Sequence, residues 1–169
     1  MHALIFRPLA VFATLASLAA ASGAHAGLIN SGFETSTGTP FVADGNWALA
    51  HQSSVAGWQT TASDAQIEIW GNNFNSASGG PVPAYEGRQF AEINATQFAT
   101  LYQDVFSIGA GSVVGFEFAH RGRSGVDTMR MMIIDLGLDN VLGGGDDTEL
   151  FSRDYSTDNT AWAFYTSSG

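Results

Sequence analysis

One run of sequence decides the fold class, and it reads Phe116-Glu117-Phe118-Ala119-His120-Arg121-Gly122-Arg123-Ser124-Gly125-Val126-Asp127-Thr128-Met129. Successive side chains of a β-strand point to opposite faces, so Phe116, Phe118 and His120 are expected on one face. The glycines that follow predict a turn, and the residues after them predict a second strand. The run therefore predicts a hairpin whose rim carries two arginines, a histidine and an aspartate.

Similar short runs recur along the chain and are bounded by Gly, Pro, Asn, Asp and Ser. β-Branched and aromatic residues concentrate in these runs, and outside the N-terminal segment no window keeps a period of 3.6 residues. This spacing predicts an all-β fold, an antiparallel β-sandwich in which no helix exceeds a turn or two. The predicted strands are 28–33, 55–60, 66–70, 89–94, 100–106, 112–120, 128–135, 148–152 and 160–166.

The first 26 residues are typical of a secretory signal peptide. Arg7 precedes an apolar stretch, and the small residues Ala24-His25-Ala26 end it. The stretch is shorter than the roughly 20 apolar residues that a membrane span needs. We therefore expect residues 27–169 to form one exported domain of a bacterial secreted or cell-envelope protein, without a transmembrane segment. Because no closing strand follows 161–165, we also expect the domain to continue beyond Gly169.

The composition excludes several classes of function. The chain has no cysteine and no lysine, and its 16 acidic residues outnumber 6 arginines to give a formal net charge of −10. Thiolate metal sites and cysteine nucleophiles are therefore excluded, and a chain this acidic repels nucleic acid and anionic lipid. Two loops are long for a compact domain, the polar loop 71–83 and the acidic loop 137–147. The second lacks the ligand spacing of an EF-hand, so a glycine-rich turn is favoured over a calcium loop.

Several motifs resemble, in their order, the galactose-binding-like β-sandwich domains of secreted bacterial proteins. This jelly-roll superfamily contains many carbohydrate-binding modules. Its secreted members often carry a C-terminal envelope-sorting tail of the PEP-CTERM type. The motifs are Leu28-Ile29-Asn30-Ser31-Gly32-Phe33-Glu34, Val55-Ala56-Gly57-Trp58, Ile67-Glu68-Ile69-Trp70, Glu86-Gly87-Arg88-Gln89-Phe90-Ala91-Glu92-Ile93-Asn94 and Leu101-Tyr102-Gln103-Asp104-Val105.

The resemblance also implies a structural calcium ion. In such domains the acidic residue that ends the first strand often joins a calcium site with main-chain oxygens and an aspartate of the final strand. That role falls here on Glu34, whose alternative role is a surface carboxylate in a turn. The final strand of the family pattern would lie beyond Gly169.

Sugar recognition needs aromatic rings for the C–H face of the sugar and polar groups for its hydroxyls. Trp70 and Tyr85 stand beside turns and are predicted to lie at a rim, whereas Trp47, Trp58 and Trp162 are expected in the core. The candidate ligand-binding residues are Glu68, Trp70, Tyr85, His120, Arg121, Arg123 and Asp127.

Each polar candidate also has a structural interpretation. An arginine fork matches a carboxylate, so an internal salt bridge from Arg121 or Arg123 to Asp127 is favoured over direct ligand contact. His120, on the phenylalanine face, is typical of a hydrogen-bonded core or rim histidine rather than a general base. Gln103 shares a face with apolar residues, where a buried amide is expected to pair with the backbone.

The sequence thus favours a secreted, non-enzymatic domain that binds carbohydrate or another extracellular polymer. A structural cell-surface or matrix protein without a small ligand is the main alternative. A glycan-directed hydrolase that uses Glu92 or His120 ranks last, because among 16 acidic residues some carboxylate pair is always available.

Overall fold

The structure is a computed structural model that describes Ala3–Leu4, 27–75 and 80–168. Strands and two 3-10 helices, Thr35–Thr37 and Gln52–Ser54, form the regular structure of these residues. The strands are β1 (Ala3–Leu4), β2 (Trp47–His51), β3 (Gln59–Thr60), β4 (Gln66–Gly71), β5 (Phe74–Asn75), β6 (Pro81–Val82), β7 (Gln89–Glu92), β8 (Leu101–Tyr102), β9 (Glu117–His120), β10 (Asp127–Asp135), β11 (Thr148–Thr157) and β12 (Ala163–Thr166).

Apart from β1, the strands pair in antiparallel ladders, which confirms the predicted all-β class and is consistent with a β-sandwich. One sheet has the order β2-β4-β7, and the long strands β10 and β11 pair with each other. The two-residue strand β1 lies parallel to β10 along its other edge. Shorter ladders join β9 to β12, β3 to β8 and β5 to β6.

Two apolar clusters hold the layers together. The first lies on the β10–β11 side and the second under the β2-β4-β7 sheet. Half-buried Leu28 and Ile93 pack against both clusters and join them. The first cluster consists of Val105, Ile108, Met129, Met131, Ile133 and Tyr155. The second consists of Val42, Ala50, Val55, Trp58, Ile67, Ile69 and Leu101.

The predicted strand 28–33 is wrong, because this segment folds as turns. Asn30 and Phe33 have φ angles of 55° and 58°, which lie in the left-handed region and interrupt an extended strand. Asn30 is buried, and its side-chain amide donates to Thr39 Oγ1 and accepts from the Thr37 hydroxyl. Its carbonyl also accepts the indole N–H of Trp58 (2.8 Å). Contacts with residues farther along the chain therefore fix this conformation.

The predicted hairpin at 116–129 is also wrong. β9 pairs with β12 and β10 pairs with β11, so the residues between His120 and Asp127 connect two different ladders. We call residues 121–126 the β9–β10 connection. Its Gly122 packs against the chain after β11, where the Gly122 N–H donates to the Asp158 carbonyl (2.9 Å). The polar residues of the connection thereby lie against another part of the molecule.

The predicted signal peptide, apart from the β1 backbone, falls outside the described residues. Within the described parts of the chain, no helix has the length and apolar character that crossing a membrane requires. The 71–83 loop contains the short β5–β6 ladder, and its residues 76–79 lie outside the description.

Candidate functional site

The candidate site is built on the outer face of the β2-β4-β7 sheet. Glu68 and Trp70 of β4 alternate with isoleucines that point into the core, so they share the opposite face. On the neighbouring strand, Glu92 is paired with Glu68, and Phe90 is paired with Trp70. The sheet register thus places two carboxylates side by side and two aromatic rings side by side.

The β9–β10 connection lies over this face, and between them is a partly open pocket of about 100 Å³. Its walls combine aromatic rings with amide, carboxylate, imidazole and guanidinium groups. The residues that line it include Trp70, Phe90, Glu92, Asn94, His120, Arg121, Arg123, Asp127 and Trp162.

Trp70 does not lie at the rim that the sequence predicted, because its side chain is only 3% exposed. Its ring packs edge-on against Phe74 and Phe90, with centroids 4.5 and 5.6 Å away. The indole N–H donates to Glu68 Oε1 (2.6 Å), and this contact satisfies a carboxylate that is itself buried. Trp70 therefore forms a fixed wall of the pocket, and its hydrogen bond to Glu68 holds the ring in place.

The expected salt bridge to Asp127 is contradicted by the positions of the two arginines. The Arg123 guanidinium lies over the Trp70 ring, 5.2 Å from its centroid, and Arg121 Nη2 donates to the Asn159 carbonyl (2.6 Å). Asp127 instead accepts the backbone N–H of Arg123 (2.6 Å). The aspartate consequently shapes the backbone of the connection, and the exposed Arg123 side chain stands at the pocket.

His120 occupies a hydrogen-bonded position, in line with its structural interpretation. It is 8% exposed, and its Nδ1 lies 2.9 Å from Thr157 Oγ1. Thr157 Oγ1 in turn lies 2.8 Å from the Tyr165 hydroxyl, which donates to the Ser156 carbonyl. This chain of hydroxyl groups anchors the imidazole ring at the pocket wall.

Three polar atoms in side chains that line the pocket are buried and have no hydrogen-bond partner among the described residues. They are Glu92 Oε2, Asn94 Oδ1 and Arg121 Nε. Burial raises the pKa of Glu92, and the neighbouring Glu68 carboxylate raises it further. Hydrogen bonds from the backbone of Ala95 and Asn94 and the charge of Arg123 oppose this rise in pKa. The largely apolar wall of the pocket thus also carries polar side chains whose hydrogen bonds are only partly satisfied by the described residues.

Aromatic side chains adjoin the pocket on one side. Tyr85 is 50% exposed, as predicted for a rim residue, and its ring contacts those of Trp162 and Phe164. Trp162, expected in the core, is half-buried and lines the pocket. Of the other tryptophans, Trp58 lies in the core as predicted, whereas Trp47 is 50% exposed on the edge strand β2.

Glu34, the predicted calcium ligand, lies away from the pocket and clamps the start of β7. Its Oε1 accepts the backbone N–H groups of Arg88 (2.7 Å) and Gln89 (3.0 Å). In the described part of the chain, no group of three or more His, Asp or Glu residues is arranged to hold a metal ion. The calcium site therefore stays a prediction.

Aspartates of the acidic loop 137–147 accept backbone N–H groups of the loop itself. Asp146 accepts from Leu138 (2.5 Å), Asp147 from Gly143 (2.7 Å) and Asp139 from Val141. The hydrogen bond from Leu138 is the main reason that the pKa of Asp146 lies below its usual value. These contacts agree with the glycine-rich turn that the sequence favoured.

Gln103 confirms the expectation of a buried amide that pairs with backbone. It is 2% exposed, and it accepts the N–H of Ile29 (2.6 Å) while donating to the same residue's carbonyl (2.8 Å). These two hydrogen bonds hold the turns around Ile29 against the segment that follows β8. Gln103 therefore has a structural role away from the pocket.

No family model, curated protein or solved structure matches this chain. The resemblance to galactose-binding-like domains accordingly stays a hypothesis carried by the motifs in the sequence.

Sequence reasoning missed Asn94, Trp162 and Phe164 as site residues and considered Glu92 only for hydrolysis. Glu92 alternates with the inward-facing Ala91, so the period of two did place it on the outer face. No local signal brings Trp162 to the pocket, since its indole N–H is held by the Pro83 carbonyl, 79 residues away in the chain (2.8 Å).

Proposed function

We propose that this chain is a secreted, non-enzymatic binding domain whose pocket takes one sugar unit of an extracellular carbohydrate. The observation that carries the proposal is an aromatic-walled pocket in which three lining side chains, Glu92, Asn94 and Arg121, each hold a buried polar atom without a hydrogen-bond partner among the described residues. Buried polar groups are costly unless they are paired, so these atoms favour a ligand that pairs them.

The hydrogen-bonding character of these atoms narrows the class of ligand. An ionised Glu92 and the Asn94 oxygen accept hydrogen bonds, whereas Arg121 Nε donates one. A hydroxyl group can do both, so a polyol with neighbouring hydroxyls matches the hydrogen-bonding character of all three side chains. A ligand that carries only acceptors would leave Glu92 and Asn94 unpaired. This asymmetry favours a neutral sugar over a multiply charged anion.

The pocket walls suit the apolar side of the same ligand. Trp70 is held by its hydrogen bond to Glu68, and Trp162 is held by its hydrogen bond to Pro83. Rings that are fixed before binding lose little conformational entropy when a ligand packs on them. Because the pocket is small, the affinity of one site is expected to be weak. Attachment to an envelope or matrix polymer would then depend on many copies.

Retention on insoluble polysaccharides tests the proposal. The folded protein is incubated with cellulose, xylan, chitin and agarose and is screened on a glycan array. We expect retention on at least one glycan and a loss of about tenfold in affinity for Asn94→Leu, since an unpaired buried group costs about 1–3 kcal/mol. Asn46→Leu, at an exposed amide outside the pocket, is the matched control. A folded wild-type protein that binds no glycan contradicts the proposal.

Hydrolysis of a glycoside is a second candidate, favoured by the cross-strand pair of Glu68 and Glu92. Glycosidases use two carboxylates, one of which has a raised pKa and acts as the acid. Turnover of chromogenic glycosides that disappears in Glu92→Gln would replace the binding proposal with this one. A calcium ion at Glu34 also remains a proposal, and calcium-dependent melting of the protein would support it.

A further inference from the structure

We infer that the aromatic side chains beside the pocket form a second subsite, which binds the sugar unit next to the one inside the pocket. The rings are those of Tyr85, Trp162 and Phe164, and we call them the aromatic shoulder. The inference rests on the proposed function and deepens it, because it predicts an oligosaccharide as the ligand.

The aromatic shoulder is continuous with the pocket. Trp162 lines the pocket and meets Phe90 edge-on, with centroids 5.2 Å apart and planes at 89°. The Trp162 ring also lies 6.2 Å from the Tyr85 ring, measured between centroids. Tyr85 in turn is nearly parallel to Phe164, at 7° and 5.9 Å. A ligand that leaves the pocket past Trp162 therefore meets Tyr85 and Phe164 next.

Two rings of the aromatic shoulder are partly exposed to solvent. Tyr85 and Phe164 are each 50% exposed. Carbon atoms in contact lie about 3.5–4.0 Å apart, so a centroid distance of 5.9 Å excludes a close face-to-face stack of these two nearly parallel rings. Parts of both ring faces then remain uncovered. Such a surface fits the C–H face of a pyranose ring.

The pocket volume explains why a second subsite is needed. Pockets for drug-sized ligands measure roughly 300–1,000 Å³. The pocket here measures about 100 Å³, which limits it to a ligand of about one ring. The remaining units of an oligosaccharide must lie outside it.

Calorimetry with saccharides of increasing length tests the inference. The probes are glucose with cellotetraose, xylose with xylotetraose, and N-acetylglucosamine with chitotetraose. In the series that binds, we expect Phe164→Ala and Tyr85→Ala to weaken the tetramer about three- to tenfold and to leave the monomer unchanged. Trp47→Ala, which removes an equally exposed ring of the same sheet face, is the matched control and should change neither affinity.

Unaltered tetramer affinity in both shoulder variants would overturn the inference, and so would an equal loss for monomer and tetramer. Phe164→Trp keeps a ring and should keep the preference for the tetramer, which separates lost stacking from a folding defect. If the wild-type protein binds neither monomer nor tetramer in any series, both the proposed function and the second subsite are rejected. Monomer binding without a length effect rejects the subsite alone.

Discussion

Glu68 and Glu92 lie directly opposite each other on the adjacent strands β4 and β7. Facing residues of an antiparallel pair have Cβ atoms about 4.5–5.5 Å apart, and like charges at this distance destabilise a sheet. Here the Trp70 indole N–H satisfies one Glu68 oxygen, while Glu92 Oε2 has no partner among the described residues. The sheet therefore holds a costly pair of acids, and such a cost is typical of a functional site rather than of a scaffold.

We predict that Glu92→Gln stabilises the protein at neutral pH. The pKa of Glu92 is raised from its usual value of 4.5, chiefly by burial and then by Glu68. The folded protein thus binds this proton more tightly than the unfolded chain. The resulting stabilisation is present below pH 4.5 and is lost as the pH rises through the folded pKa. Glutamine resembles the protonated acid at every pH. The variant therefore keeps the stabilisation that the wild-type protein loses as the pH rises.

The measurement is thermal melting of both proteins at pH 4 and pH 7.5. We expect a gain of about 2–4 °C at pH 7.5, which corresponds to about 1 kcal/mol in a domain of this size. The two melting temperatures should coincide at pH 4. Glu117→Gln, at an exposed glutamate of β9, is the control and should show no gain. A melting temperature that falls at pH 7.5 would mean that the Glu92 charge stabilises the fold.

Arg123→Ala separates the binding function from the structural alternative. The Arg123 guanidinium lies over Trp70, and Arg153 makes a matched contact over Tyr155 at 5.3 Å. Each alanine variant should lose about 0.5–1 kcal/mol of stability, the value of an exposed cation–π contact. Only Arg123→Ala should also lose saccharide affinity, by about tenfold, because a charged hydrogen-bonding group is removed at the pocket.

The two readouts are melting temperature and retention on the glycan that binds. If Arg123→Ala melts well below Arg153→Ala while its glycan retention is unchanged, the connection serves the fold alone. The structural alternative would then replace the binding proposal.

The sequence predicts the individual strands better than it predicts their partners. β4 and β10 lie close to their predicted positions because alternation and β-branched residues are local signals. The failed hairpin at 116–129 has the correct strands and turn, but the pairing of β9 with β12 joins Ala163 to His120 across 42 intervening residues. Pairing over such distances depends on the packing of the whole chain.

The same limit applies to the site. The polar residues around Arg123 are recognisable locally, because glycines and charges interrupt an apolar run. Whether Trp70 is exposed depends on what covers it, and Arg123 and Phe74 supply that cover. The turn at Asn30 is likewise held by residues 7 to 28 positions away, which no strand pattern contains. Burial at the pocket is thus a tertiary property.

Gly122→Ala is predicted to disturb the pocket through the backbone. A Cβ atom at Gly122 would lie 2.4 Å from the Gly125 carbonyl oxygen and 2.6 Å from that of Thr157. These backbone atoms cannot rotate away, so we expect a loss of about 1–3 kcal/mol, as for an overpacked core. Arg121 and Arg123 should be displaced together, and saccharide binding should fall with stability. At Gly109 the nearest atom would be 3.9 Å away, so Gly109→Ala is the control.

Gly87→Ala is predicted to release the clamp that Glu34 forms at the start of β7. Gly87 has a φ of +67°, and a Cβ atom there would lie 2.2 Å from Glu34 Oε1, the oxygen that accepts two backbone N–H groups. Backbone strain and the displaced carboxylate together should cost about 2–4 kcal/mol. Gly45 has a φ of +76° and open space around it, so Gly45→Ala introduces backbone strain without a steric clash. This control should cost about 1–2 kcal/mol. Chemical denaturation of both variants measures the difference, and equal losses would show that the Glu34 clamp adds nothing to stability.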